Sequence, residues 1–166
     1  MTVTRSATVT LPTDEQILIT REFDAPRELV YRAWTTPELV RRWWHANRGE
    51  MTVCEIDLRV GGAWRYVMVA HDGGMEVGFH GVYREIVPGE RLVSTEIYEG
   101  LPEGVSEDDA ATLNTVTFEE QDGRTHVTLL VQCQNQISRD AIIESGMENG
   151  LQDALDLLEQ AAQSLR

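Results

Sequence analysis

Polar and apolar residues first alternate and then shift to a helical period near the start of the chain. From Gln16 to Phe23, Ile17, Ile19 and the β-branched Thr20 sit in a strand-like run. Asp24 then offers an N-cap with Pro26 just inside the helix that follows, which places the helix start near Ala25. Leu29, Val30, Ala33 and Trp34 recur at helical spacing, and Thr36-Pro37 resets the chain for a second short helix ending in Arg41-Arg42-Trp43-Trp44. Strand patterns follow over 51–58, 63–70, 75–87, 91–99, 113–120 and 125–134. Gly61-Gly62, His71 to Gly74, Pro88-Gly89 and Gln121-Asp122-Gly123 separate them, so successive strands are predicted to pair as antiparallel hairpins. One connection is long: residues 100–112 carry Pro102, Gly104 and four acids, a mobile surface loop.

The C-terminal pattern predicts one long helix from Ser138 to Arg166, with Ser138 as its cap. Met147, Leu151, Ala154, Leu155, Leu158, Ala162 and Leu165 form its apolar face. A helix of that length runs about 40 Å, enough to cross a whole sheet. Gly146 and Gly150 predict a bend in it or a close approach. The order strand, two helices, six strands, helix gives an α+β fold: a meander joined by the first strand, with the last helix across its concave side. Residues 1–15 read as a loosely held arm or a short edge extension, and 16–166 as a single domain.

Bulk properties narrow the partners. A chain of 166 residues is one domain of ordinary size. Its formal charge of -14 and pI near 4.6 repel phosphate backbones and anionic head groups, so neither nucleic acid nor a membrane surface is an expected partner. The longest apolar runs fall far short of the roughly 20 residues that span a bilayer, and no membrane insertion is expected. Cys54 and Cys133 have no paired spacing and the chain opens without a signal-peptide pattern, which points to a reducing cytoplasm.

No cofactor or metal is called for: His45, His71, His80 and His126 stand apart, and no phosphate-binding glycine loop or nucleophile elbow occurs. Cys54 lies near Glu55 and Asp57, which raises its pKa and makes it inert. The groups suited to proton transfer are His80, Glu96, Tyr66 and Tyr98, each on a strand whose alternate residues point inward. Aromatic residues cluster between Trp34 and Tyr98, and alternation puts Trp64, Tyr66 and Met68 on one strand face. Trp43 and Trp44 are the pair expected to frame an entrance.

Several stretches together resemble the START-like helix-grip superfamily, also called SRPBCC, which includes the birch pollen allergen and polyketide cyclases. Residues 19–30, Ala33-Trp34-Thr35-Thr36-Pro37-Glu38-Leu39 and Arg42-Trp43-Trp44 look like the opening of its heat-shock protein 90 ATPase activator homologue branch. Cys54 to Arg59, Gly61 to Tyr66, Gly81 to Pro88, Glu90 to Val93 and Ser145 to Gly150 are similar to that branch too. The resemblance implies a curved antiparallel sheet of about seven strands wrapped on a long C-terminal helix, with a cavity between them for an apolar molecule. Two positions depart: His45-Ala46 stands where the branch usually has Gly-Pro, and Leu151 where a tryptophan or methionine is common.

The first reading is a binding module rather than an enzyme, with a small hydrophobic or aromatic ligand held by Trp44, Trp64, Tyr66, Met68, Phe79, His80, Tyr98, Met147 and Leu151. A polyketide cyclase- or aromatase-like enzyme would use the same cavity, and requires His80, Glu96 or Tyr98 to face it with a shifted pKa. The third reading is a protein-interaction module of the chaperone-activator type, or a homodimer formed through a sheet edge or the acidic loop.

Overall fold

A computed structural model describes residues 6–166. The elements in chain order are β1 (Thr8–Thr10), β2 (Gln16–Phe23), α1 (Arg27–Thr35), α2 (Pro37–Val40), β3 (Gly49–Ile56), β4 (Ala63–Ala70), β5 (Glu76–Val87), β6 (Arg91–Tyr98), α3 (Glu107–Ala110), β7 (Thr112–Gln121), β8 (Arg124–Gln132), α4 (Gln136–Glu144) and α5 (Met147–Gln163). Among the described residues eight strands form one antiparallel sheet in the order β1-β2-β8-β7-β6-β5-β4-β3. This is the helix-grip architecture the sequence resembles, with one strand more than the seven expected. The additional strand is β1, where Thr8, Val9 and Thr10 pair with Thr20, Ile19 and Leu18 at the sheet edge. Residues 1–5 of the predicted arm lie outside the described residues.

The sheet curves until both of its edges reach α5. Before β1, Ala7 exchanges two hydrogen bonds with the Gln152 side chain, at 2.9 and 2.8 Å. Before β3, Arg48 Nη1 meets Asp153 Oδ2 at 3.0 Å. Neighbouring residues of one helix therefore hold opposite edges of the sheet. The core between them joins Ile17, Ile19 and Phe23 of β2, Val116 and Phe118 of β7, and Leu155 and Leu158 of α5. Each buried Leu or Phe side chain contributes roughly 2 kcal/mol relative to exposure.

Three local expectations are corrected. The first helix begins at Arg27 and its N-cap is Pro26, which offers no side-chain acceptor. Its first turn is closed from across the fold, because Glu120 Oε1 of β7 accepts from Arg27 N at 2.7 Å. The expected cap, Asp24, instead joins the C-terminus: its N–H donates to Glu159 Oε2 at 2.9 Å and its carbonyl accepts from Gln163 and Arg166. The C-terminal helix is two helices, broken where Gly146 adopts φ +80°. The cap of α4 is Asn135, whose Oδ1 accepts from Ser138 N at 2.8 Å. Finally, the acidic connection of 100–112 holds the single helical turn α3, capped by Ser106 Oγ on Asp109 N at 3.1 Å.

Candidate functional site

Strand register decides which side chains face α5. Tyr66 pairs with Cys54 and Phe79, Trp64 with Ile56 and Gly81, and Phe79 with Tyr98, so these residues share the concave face. On β6 the same face presents Ser94, Glu96 and Tyr98, and on β7 their partners Asn114 and Thr112. At Gly81 the backbone leaves no alternative to glycine: an added Cβ would lie 1.8 Å from the Thr95 carbonyl and 2.7 Å from Trp64 Nε1. The Trp64 indole crosses this gap and donates to Thr95 O at 3.2 Å.

Four aromatic rings form a continuous wall on this face. Trp44 meets Tyr66 and Phe79 edge-on at 5.5 and 5.8 Å, and Phe79 meets Tyr98 at 5.1 Å. Tyr66 is buried, Trp44 and Phe79 are half-buried, and Tyr98 keeps 37% of its surface exposed. At the start of α5, Met147 and Leu151 are half-buried against the core. Arg48 fixes the loop after Trp44 to that end of the helix by bonding Ala46 O at 3.2 Å and Asp153. Within the loop Ala46 and Asn47 take φ +53° and +61°, two consecutive left-handed residues, the first of them in the His45-Ala46 pair that stands where the resemblance expects Gly-Pro.

Glu96 sits beside this wall in a recess, half-buried by area but densely surrounded. Burial pushes its carboxyl up to about 7, against a hydrogen bond from Asn114 that favours the charged form. Asn114 is itself oriented, since its Oδ1 accepts from Thr112 Oγ1 at 2.9 Å, which turns the amide nitrogen toward Glu96. Tyr66 and Tyr83 both have raised pKa values, chiefly from burial; Glu96 adds to the shift of Tyr66. Near neutral pH the recess therefore offers one carboxyl balanced between its two protonation states, among phenols that stay neutral.

The residues expected to hold a ligand divide by this geometry. Trp44, Tyr66, Phe79 and Tyr98 come together as the wall, with Trp64 and Met68 flanking it on β4. His80 does not join them. It pairs with Arg65 on the convex face, where its Nδ1 lies 2.9 Å from Glu99 Oε2. Arg65 donates to both Glu99 oxygens at 2.9 and 2.8 Å, and this pairing holds the Glu99 carboxyl down at about 2. Trp43 is also displaced from the expected entrance: it is buried against Trp34, with Nε1 donating to Ala33 O at 2.9 Å. Asn114 and Thr112 were not anticipated, although alternation along β7 places both on the face of Val116 and Phe118. Cys54 is held at about 11, first by burial, and its thiol points at Pro37 O 3.5 Å away.

The expected enclosed hollow is nearly filled beneath α5. The space bounded by Ile19, Phe23, Trp34, Leu129 and Leu155 amounts to about 10 Å³, room for one water. A ligand has no place there. Among the described residues no helix is long and apolar enough to cross a membrane.

A family model described as "Activator of Hsp90 ATPase homolog 1-like protein" matches residues 24–163. Comparison of the sequence with curated proteins yields no match. Among solved structures, a protein from Rhodobacter sphaeroides is 25% identical with a TM-score of 0.84, covering 96% of this chain and 99% of its own. One from Chromobacterium violaceum is 28% identical with a TM-score of 0.72, covering 87% and 95% respectively. A protein from Mycobacterium smegmatis, 22% identical with a TM-score of 0.81 over 93% and 95% of the two chains, shares the fold.

Proposed function

The chain belongs to the Activator of Hsp90 ATPase homolog 1-like family, and we propose that it binds a small hydrophobic or aromatic molecule on the β4–β6 part of its concave face. The observation that carries this reading is the aromatic wall of Trp44, Tyr66, Phe79 and Tyr98, left partly exposed at Tyr98. Contiguous apolar surface kept accessible next to a few fixed polar groups is the usual character of a small-molecule site. A thermal-shift screen of neutral aromatic and aliphatic compounds, followed by native mass spectrometry, tests it. Binding is expected to saturate with one molecule per chain, and Tyr98→Ala, which removes the most exposed ring of the wall, is expected to weaken it. A screen without a stabilising compound, together with only the bare chain mass after gentle purification, overturns it.

One observation favours a catalytic use of the same surface. Glu96 faces the recess with a carboxyl held at about 7, the value at which a general acid or base works best near neutral pH. In a cyclase- or aromatase-like reaction it would move a proton to or from the substrate, with Asn114 holding the carboxyl in place. Turnover of a β-polyketone thioester mimic, slowed about 100-fold by Glu96→Gln with binding retained, is the expected result. Equal turnover by the two proteins removes the role.

A further inference from the structure

Resting on the binding reading, we propose that the ligand of the concave face is a lipophilic organic cation, an ammonium group on an aromatic or aliphatic body. Its charge is received between Glu96 and the rings of Tyr66, Phe79 and Tyr98. Three arrangements converge on this chemistry. On one face of the sheet Trp44 lies 5.5 Å from Tyr66 and 5.8 Å from Phe79, and Phe79 5.1 Å from Tyr98, and the faces of such rings attract a cation. On the same side of the sheet Glu96 supplies a carboxylate, and the amide of Asn114 satisfies only part of its acceptor capacity. None of the inward positions on β4, β5, β6 and β7 carries a basic side chain, so no internal cation competes for that carboxylate. The formal charge of -14 adds a field that concentrates cations and repels anions at the surface.

A carboxyl that is half protonated when empty is suited to this ligand. The groups that face it are Asn114 and Thr112 of β7, Tyr66 of β4, and Ser94 and Tyr98 of its own strand, with Tyr83 of β5 and Cys54 of β3 beyond Tyr66. Burial raises the pKa values of Tyr66, Tyr83 and Cys54 and keeps them neutral through the physiological range, so the protonation state of the recess follows Glu96. An arriving ammonium pairs with the ionised form and expels the proton from the neutral one to solvent. Binding should therefore release protons at about pH 6 and tighten as pH rises toward about 8, since an alkylammonium stays charged over this range.

Three probes with one apolar body separate the possibilities: naphthylmethylammonium, naphthylmethanol and naphthoate, titrated calorimetrically in buffers of different ionisation enthalpy. The ammonium is expected to bind about tenfold or more tightly than the alcohol at about pH 8, with naphthoate weakest. In Glu96→Gln the ammonium should lose its advantage over the alcohol. Proton release by the unmodified protein is an independent readout that requires no variant. Equal binding of ammonium and alcohol, or a preference that survives Glu96→Gln, overturns the cation proposal while leaving the binding module standing. Failure of all three probes to bind, with no compound found in the wider screen, removes both.

Discussion

Glu96 couples the stability of the fold to pH, and linkage gives the sign. Its carboxyl titrates near 7 in the folded protein and about 4.3 in an unfolded chain, so the folded state holds the proton more tightly. Its penalty is absent below about pH 4, grows as pH rises, and is complete above about pH 7. Glu96→Gln is therefore expected to stabilise the protein by about 2 kcal/mol at about pH 8 and by little at about pH 4, allowing for partial solvation. Urea denaturation at the two pH values checks this, and an equal effect at both would show that Glu96 is ordinary. Much of this site is legible one residue at a time. Alternation places Glu96 and Tyr98 together on β6, and it also separates Phe79 from His80, because adjacent strand residues cannot both face one way. What alternation does not carry is the Thr112–Asn114–Glu96 relay, which depends on side chains of two strands meeting across a register that hairpin lengths alone leave free.

The two C-terminal helices show how an element can be misread while its periodicity is read well. Ile142, Ile143, Met147, Leu151, Ala154 and Leu155 keep three- and four-residue steps straight through the break, so the apolar pattern runs on as if one helix continued. The signal lay in the glycines, and the two differ in conformation. Gly146 stands at φ +80° with open space around it, whereas Gly150 is inside α5, where an added Cβ would meet only Arg48 Nη1 at an ordinary 3.8 Å. Gly146→Ala is expected to lower stability by about 1 kcal/mol through backbone strain. Gly150→Ala should raise it by about 0.5–1 kcal/mol through helix propensity. Chemical denaturation of both variants checks the opposite signs; two variants shifting the same way would mean that the break is not fixed at Gly146. The caps are the other elements that sequence left unresolved. Asp24 has the composition of an N-cap, yet its backbone is committed to Glu159, Gln163 and Arg166 near the far end of α5, contacts no local pattern contains.

For the molecule as a whole, the sheet holds its helix by ion pairs as well as by apolar packing. Arg21, only 4% exposed on β2, places Nη1 2.6 Å from Asp156 Oδ1 and Nη2 3.6 Å from Glu159 Oε1, and its guanidinium lies 4.9 Å over the Phe23 ring. Removing one acid leaves that cation buried with a weakened partner set. Asp156→Ala is expected to cost about 3 kcal/mol, whereas Arg21→Met, which removes the charge and keeps the volume, should cost less. Thermal melts of the two variants decide the order, and a reversed order would show that the guanidinium serves mainly as packing. The fold itself was the most legible level, because strand count, hairpin turns and a terminal amphipathic helix leave few ways to build a closed layer. The near-solid interior was not, because void volume depends on how Trp34, Leu129 and Leu155 interlock. The pairing of β2 with β8 bears on how the protein is made. Residues 16–23 pair on one side with the three-residue β1 and wait for residues 124–132 to cover the other, and the helix that closes the concave face is made after every strand it covers. Folding should accordingly be slow for the chain's size, with refolding in milliseconds to seconds. Until α5 has emerged and docked, the nascent sheet displays its apolar side, which makes the incomplete fold a client for holding chaperones.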